Sequence, residues 1–281
     1  MRLLGIFTIL LVLVVESAYS QSFFNYRRQR NLQVHGGSGI ASYYGDLVNP
    51  GTLGRVRYNI VAGGEYFISS RSSVRAELVW FRIFGSDDFA NSDRLLRNLN
   101  FFSNNIELSS AVTVHLFENR RNFYDRPTFN LYGFAGVGLL YMNPKTTRDN
   151  GQVVALQPIQ TEGTYYSRFQ PVIPYGLGVK LRLNTVLNLI VEGGNRITFT
   201  DYLDDISTRR YFDHPDAGYV LTDPLAIELN KRGNAVVRGN PENNDGYFFL
   251  NVKIQYFVPS EFGLFNSDKK LRTYKRVPYR R

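Results

Sequence analysis

An all-β fold, an eight-stranded antiparallel up-and-down barrel crossing a membrane, is predicted for this 281-residue chain. Three observations predict it. Eight segments alternate apolar and polar residues with the period of a β-strand. The connections between them alternate long and short without exception, as in membrane barrels with short periplasmic turns and long outer loops. The chain also holds 21 Phe and 19 Tyr against 2 Met, and aromatic side chains fit a pleated surface.

Residues 1–20 read as a secretory signal peptide. Arg2 gives the positive start, Leu3 to Val15 the apolar core, and Ala18-Tyr19-Ser20 a small-x-small cleavage site. Glu16 and Ser17 cut the apolar run too short for an anchor helix, and no later stretch is long enough to be one. Cysteine is absent, which excludes disulfides, thiolate metal sites and a lipid-modified cysteine. The net charge is +9, carried mostly at two ends. Arg27, Arg28 and Arg30 lie in a basic segment, 21–31, expected in the periplasm. Residues 260–281 carry Lys269, Lys270, Arg272, Lys275, Arg276, Arg280 and Arg281 against Glu261 and Asp268. The barrel, 32–259, is nearly neutral between them. An exported protein is not expected to meet nucleic acid, whatever its pI.

The strands follow in order. The first is Leu32 to Tyr43, with glycines at 36, 37 and 39. The second, Arg55 to Phe67, sets Val56, Tyr58, Ile60 and Tyr66 against Arg55, Arg57, Asn59 and Glu65. The third, Ser73 to Phe84, sets Val74, Ala76, Leu78 and Trp80 against Arg75 and Glu77. The fourth, Asn105 to Phe117, sets Ile106, Leu108, Val112, Val114 and Leu116 against Glu107, Ser109, Thr113 and His115. The fifth, Thr128 to Tyr141, places Leu131, Val137 and Leu139 on the apolar parity. Its Gly133 to Gly138 stretch reads as close packing in a narrow barrel. The sixth, Val172 to Leu183, sets Tyr175, Leu177, Val179 and Leu181 against Lys180 and Arg182. The seventh starts at Leu187 and sets Leu189, Val191, Ile197 and Phe199 against Asn188, Glu192, Arg196 and Thr198. The eighth, Tyr247 to Phe257, sets Phe248, Leu250, Val252, Ile254 and Tyr256 against Asn251, Lys253 and Gln255.

Strands of this length, at ~3.3 Å per residue and a tilt near ~40°, reach roughly 30 Å, enough to cross the apolar band. The apolar parity is expected to face lipid and the polar parity the lumen. Eight strands enclose only enough space for side chains. The lumenal parity carries Arg55, Arg57, Arg75, Lys180, Arg182, Arg196 and Lys253 against Glu65, Glu77, Glu107 and Glu192. That mixture predicts an internal ion-pair network and a plugged barrel with a filled polar lumen, not a pore.

Catalytic signals are sparse. There is no nucleophile elbow and no glycine-rich phosphate loop. Tyr211-Phe212-Asp213-His214-Pro215-Asp216 offers an acid–base pair or a metal ligand set, and Asp201, Asp204 and Asp205 a calcium site. Neither has a recognised ligand spacing, and turn chemistry accounts for both. No enzyme, cofactor, metal or small-molecule substrate is expected. With an even strand number the tail 260–281 returns to the side of the N-terminus, the periplasm. Its Phe262, Leu264, Phe265, Tyr274 and Tyr279 set it apart from a purely solvating tail.

Four segments carry a resemblance. They are Ala41-Ser42-Tyr43-Tyr44-Gly45-Asp46-Leu47, Met142-Asn143-Pro144-Lys145, Leu156-Gln157-Pro158 with Thr161-Glu162-Gly163, and Thr200-Asp201-Tyr202-Leu203-Asp204-Asp205-Ile206-Ser207. In this order they resemble the PorG family of outer-membrane barrels of the type IX secretion system. The resemblance implies a non-enzymatic outer-membrane role, in a Gram-negative bacterium, that anchors the periplasmic ring of PorK and PorN and supports protein export and, where present, gliding motility. The family motif Thr200 to Asp205 falls in an outer loop. The basic tail residues Lys269, Lys270, Arg272, Tyr274, Lys275 and Arg276 are the candidates for the periplasmic contact; outer-membrane lipid is the other partner. Two alternatives stay open: a structural or adhesive barrel binding an extracellular ligand through its loops, and a barrel protease or acyltransferase. Barrel proteases with an aspartate–histidine pair use ten strands. A further hairpin within 151–175 would be needed, and Pro158, Pro171 and Pro174 argue against long central strands there.

Overall fold

A computed structural model describes residues 31–45, 47, 56–86, 100–119, 125–147, 151–159, 165–207 and 244–258. The signal peptide, Arg55, the Tyr211–Asp216 run, Thr161 to Gly163 and the tail candidates Lys269 to Arg276 lie outside these residues. Alternating sequence becomes strand wherever it was expected: β1 (Leu32–Tyr44), β2 (Arg57–Phe67), β3 (Ser72–Ser86), β4 (Asn100–His115), β5 (Phe129–Tyr141), β8 (Phe169–Arg182), β9 (Leu187–Thr198) and β10 (Gly246–Phe257). Two short strands, β6 (Pro144–Thr147) and β7 (Val153–Ala155), sit between β5 and β8.

Neighbouring strands run antiparallel in the order β3-β2-β1-β10-β9-β8-β5-β4. The sheet closes because β3 also pairs with β4, from Ser72↔Val114 to Ser86↔Asn100. The result is a closed, eight-stranded antiparallel barrel. Closure removes the open edge that would leave N–H and C=O groups unpaired in hydrocarbon. The strands are joined through 68–71, 116–128 and 183–186 at one end, the short-turn end, where β1 also starts and β10 finishes. At the other, the long-loop end, they are joined through 45–56, 87–99, 142–168 and 199–245. The strict alternation of long and short connections fails once: because β4 starts early, 116–128 is as long as 87–99 and longer than 45–56.

Most boundaries fall within two residues of the sequence expectation, and two strand starts move further. β4 starts at Asn100, five residues before Asn105, because the end of β3 holds it in register as far as Ser86. β8 starts at Phe169 and runs through Pro171 and Pro174. Pro171 still pairs with Leu139, and Pro174 with Arg196 on β9. The ladder to β5 lapses between Ala135↔Tyr175 and Gly138↔Val172, opposite Pro174, which has no N–H to donate. The β6–β7 hairpin extends the β4 edge beyond the barrel and does not widen it.

Side chains are distributed inside out. Ile60, Leu78, Leu108, Val137, Leu177 and Val252 are exposed on the outer wall, Leu177 to 72%. Arg75, Glu77, Glu107, Glu192, Arg196 and Lys253 are buried within. Exposing a large aliphatic side chain to water forgoes roughly 1.5–3 kcal/mol. A wall of them is stable only against lipid. The chain is therefore a transmembrane barrel.

Small residues make the filled lumen possible. A Cβ at Gly178 would strike the Tyr132 ring, and one at Gly136 the Ser110 carbonyl oxygen of β4. At the short-turn end Arg126 acts as a clasp. It donates to Asn188 Oδ1 at 2.8 Å and to the carbonyls of Asn184, Thr185 and Leu187 at 2.7–2.9 Å. Its guanidinium lies 4.5 Å from the Phe257 ring centroid.

Candidate functional site

Ionic chemistry fills much of the lumen, with Arg75, Lys180 and Lys253 toward the short-turn end and Arg196 nearer the long loops. Lys253 Nζ donates to Glu77 at 2.6 Å and to Glu192 at 3.0 Å. Arg75 grips both oxygens of Glu192, with its second contact at 3.1 Å, and stacks 3.9 Å from the Phe134 centroid. Lys180 donates to Glu65 at 2.6 Å and to His115 Nε2 at 3.2 Å. Arg196 lies 3.4 Å from Glu107 and 4.1 Å from the Phe249 centroid. Four cations thus meet four carboxylates. His35, Tyr132, Tyr247 and Gln255 add hydrogen bonds to Glu77, Glu192, Glu107 and Glu65 respectively.

This is the ion-pair network the alternation predicts, with two corrections. Arg57, at the first position of β2, turns its guanidinium over the Phe84 ring. Arg182, at the last position of β8, donates to the Arg126 carbonyl and to Thr128. Both sit at strand ends, where parity no longer dictates which way a long side chain bends. Gln255 comes from the expected polar parity, and Tyr132 and Tyr247 join it in the network because a lumen that narrow brings uncharged polar groups within reach of its carboxylates.

Toward the long-loop end the lumen becomes apolar. Tyr43, Phe81, Ile83, Phe101, Leu140, Tyr247 and Phe249 form one buried cluster with Leu47, Met142, Leu156, Leu203 and Ile206. Those last five belong to the four segments that carry the family resemblance. Segments far apart in the chain therefore converge into a single stopper over the mouth. Thr200 to Ser207 lies in the loop between β9 and β10, as expected, but folds inward and is largely buried.

Hydrogen bonds fix this turn. Thr200 Oγ1 accepts from the Tyr202 amide at 3.1 Å, and Asp204 Oδ1 from the Ile206 amide at 2.9 Å. Asp205 adopts φ 71°, a left-handed conformation that Asp tolerates better than most residues. Tyr166 donates to Asp205 at 2.6 Å and stacks on Tyr202 at 4.8 Å. Asp245, just before β10, accepts the Leu203 amide at 2.9 Å.

The Tyr43 hydroxyl is 2.7 Å from Asp204 Oδ2 and 2.9 Å from Asp245 Oδ1. A phenol has one hydrogen to donate. It serves one carboxylate, and the other contact requires a proton on the carboxyl itself. Burial, then the charges of Asp204 and Asp201, hold Asp245 well above the usual carboxylate range. Asp245 is the group that keeps the second proton. Among the described residues no group of three or more His, Asp or Glu side chains is placed to hold a metal ion. Asp204 and Asp205 direct oxygens to tyrosine hydroxyls. Two of the three aspartates of the calcium candidate, Asp204 and Asp205, thus have a structural task in the stopper.

Three outcomes follow from this geometry. Lys253→Met, which strips a shared cation from Glu77 and Glu192, should cost about 3–5 kcal/mol in denaturant unfolding of the detergent-solubilised barrel. The purified protein should show no steady conductance in planar bilayers, since both charge and rings fill the lumen. The raised Asp245 binds its proton more tightly in the closed stopper than in an unfolded chain. Its contribution is fullest below an ordinary Asp value of about 4 and declines as pH rises toward its own. Amide exchange at Leu203 and Ile206, corrected for intrinsic rate, should lose protection progressively as pH rises above the ordinary Asp value of about 4. Asp245→Asn, which keeps one donor and one acceptor, should flatten that dependence.

No protein-family model and no curated protein matches the chain. Among solved structures it is similar to Neisserial surface protein A, at 10% identity and a TM-score of 0.42, covering 81% of this chain and 97% of that one. It is also similar to the outer-membrane protein OprG of Pseudomonas aeruginosa, at 10% identity and a TM-score of 0.41, covering 82% and 99%. The attachment invasion locus protein Ail of Yersinia pestis aligns at 11% identity and a TM-score of 0.39, covering 81% and 99%. At such identities the likeness concerns the fold alone, and the closed ladder establishes the barrel independently.

Proposed function

We propose that this chain is a non-enzymatic outer-membrane component of the type IX secretion system. In this reading it anchors the periplasmic ring of PorK and PorN and supports protein export, and gliding motility where present. The observation that carries it is the convergence of the four family-like segments into one stopper. Residues that resemble a family only by order in the sequence share a single structural task. A barrel plugged by ion pairs and rings offers no conduit, so its work is done by its rims and terminal segments. The short-turn end, with the termini, would face the periplasm, and the basic, aromatic-bearing tail 260–281 would meet the ring. Lys269, Lys270, Arg272, Tyr274, Lys275 and Arg276 are the contact residues of this reading.

A structural or adhesive barrel is the second reading. It is favoured by the β6–β7 hairpin, which carries the β4 edge beyond the barrel toward the long-loop side. Its ligand would be extracellular and would be held by the loops, including 199–245.

A photoreactive residue in place of Tyr274 should capture a ring subunit in intact cells, and removal of 260–281 should abolish recovery of PorK and PorN. Capture of lipid alone, with secretion unchanged by the deletion, would reject the scaffold reading. The chain has no native cysteine, so Val220→Cys is a unique label. A membrane-impermeant maleimide should modify it in intact cells if the long-loop end faces outward.

A further inference from the structure

We infer that Arg57, Arg82 and Lys145, at the long-loop rim of the barrel wall, form a binding site for the phosphate groups of a phosphorylated glycolipid of the outer leaflet. The inference rests on the proposed orientation for the leaflet, but not for the chemistry.

The depth of the site comes from the aromatic residues. Tyr58 and Trp80 pair on the outer wall with ring centroids 5.5 Å apart, and Tyr141 and Phe169 pair at 5.2 Å. Such rings mark the boundary between hydrocarbon and headgroups. Arg82 lies two residues beyond Trp80 on β3, or ~7 Å nearer the rim. It shares the outward parity of Val74, Leu78 and Trp80. Below it the wall is apolar, with Leu78, Ile106 and Leu108 exposed. A cation at this height faces headgroup phosphates.

The three cations are neighbours. Phe84 of β3 and Phe102 of β4 are cross-strand partners. The Arg57 guanidinium lies 4.9 Å from the Phe84 centroid, and that of Arg82 lies 4.5 Å from the Phe102 centroid. Lys145 of β6 pairs directly with Phe102 and so shares its face. Two rings therefore separate and orient three positive groups along one row. Stacking fixes each guanidinium plane and leaves its N–H edge for a bidentate oxyanion.

Their counter-charge is what is missing. Every lumenal cation of the network has a carboxylate, and Arg71 at the opposite rim pairs with Glu118 at 3.2 Å. Among the described residues none of the three rim cations has an acidic partner. The Nε of Arg82 is buried and hydrogen-bonds nothing among the described residues. A cation merely snorkelling to water would extend its whole guanidinium outward. Arg82 instead holds a buried donor beside a ring, between two more cations, at the level of lipid phosphates. A phosphorylated glycolipid supplies what the row lacks: phosphate oxygens for the cations, and acyl chains for the wall formed by Leu78, Ile106 and Leu108.

The test uses the full mature barrel, delipidated in detergent, with lipid retention read by native mass spectrometry. Three probes are titrated: diphosphoryl lipid A, its dephosphorylated form, and inorganic phosphate. The wild-type protein should bind the diphosphoryl lipid at least about tenfold more tightly than the dephosphorylated one. The Arg57→Gln/Arg82→Gln/Lys145→Gln variant should bind both alike, while Arg71→Gln at the opposite rim should behave as wild type. Heat-modifiable migration reports folding of each variant. If the triple variant does not fold, Arg82→Lys, which keeps the charge but loses the fork, should weaken diphosphoryl binding several-fold. Equal binding of the two lipids by the wild type, or undiminished preference in a folded variant, would overturn the assignment. Displacement of the lipid by inorganic phosphate alone would do the same, since it would mark a free-anion site. A micelle has no sides, so these results do not depend on the barrel's orientation, which the Val220→Cys label decides separately.

Discussion

Closure between β3 and β4 is the constraint on which the rest of the molecule depends. In hydrocarbon an unpaired strand edge is intolerable, so the sheet must return to itself. Once it does so with eight strands, the interior has room for side chains and little else. Strand alternation then sends every second residue into that interior, whatever its polarity. The burial of Arg, Lys and Glu in the barrel follows from closure plus periodicity and needs no separate driving force.

A closed, narrow lumen makes charge balance compulsory. A buried ion without a partner costs several kcal/mol, so cations and carboxylates must come in matched sets with satisfied hydrogen bonds. Lys253 bridging Glu77 and Glu192, with Arg75 on the second of these, is such a set drawn from three strands. Tyrosine and glutamine side chains add donors to Glu192, Glu107 and Glu65. Toward the long-loop end aromatic rings replace ions, and the chain itself completes the seal. Leu203 and Ile206 enter the apolar cluster, while the aspartates around them are held by Tyr43 and Tyr166. The rim outside obeys a different rule. There the solvent is a headgroup layer, and a cation without a protein partner is stable where lipid phosphate supplies the counter-charge.

Much of this was readable in advance. Strand positions and faces were legible because β-alternation is local: Leu187 to Thr198 declares its two faces without any partner strand. Loop lengths exposed the two ends only in part: 68–71 and 183–186 stand apart from 142–168 and 199–245, but 116–128 is as long as 87–99 because β4 begins before its alternation declares it. The candidate site was only half legible. The Thr200 to Asp205 motif was visible as turn chemistry in a loop, but its inward fold was not. That depends on Tyr43, Tyr166 and Asp245, and Tyr43 is 161 residues from Asp204. Pro171 and Pro174 argued against a strand that nonetheless forms, because the β9 ladder holds where the β5 ladder lapses.

By itself, then, the sequence determined the period, the greasy and polar faces, the strand number and the mixture of lumenal charges. These are properties of near neighbours along the chain, where steric preference and alternation act. Only the tertiary structure decided which charges meet. Arg75 and Glu192 are 117 residues apart and are joined by register around the barrel. It also decided that Arg57 leaves the lumen for the Phe84 ring, and that four dispersed segments close one mouth. Partner choice across a barrel is set by shear and closure, and these are properties of the whole ring of strands, not of any one of them.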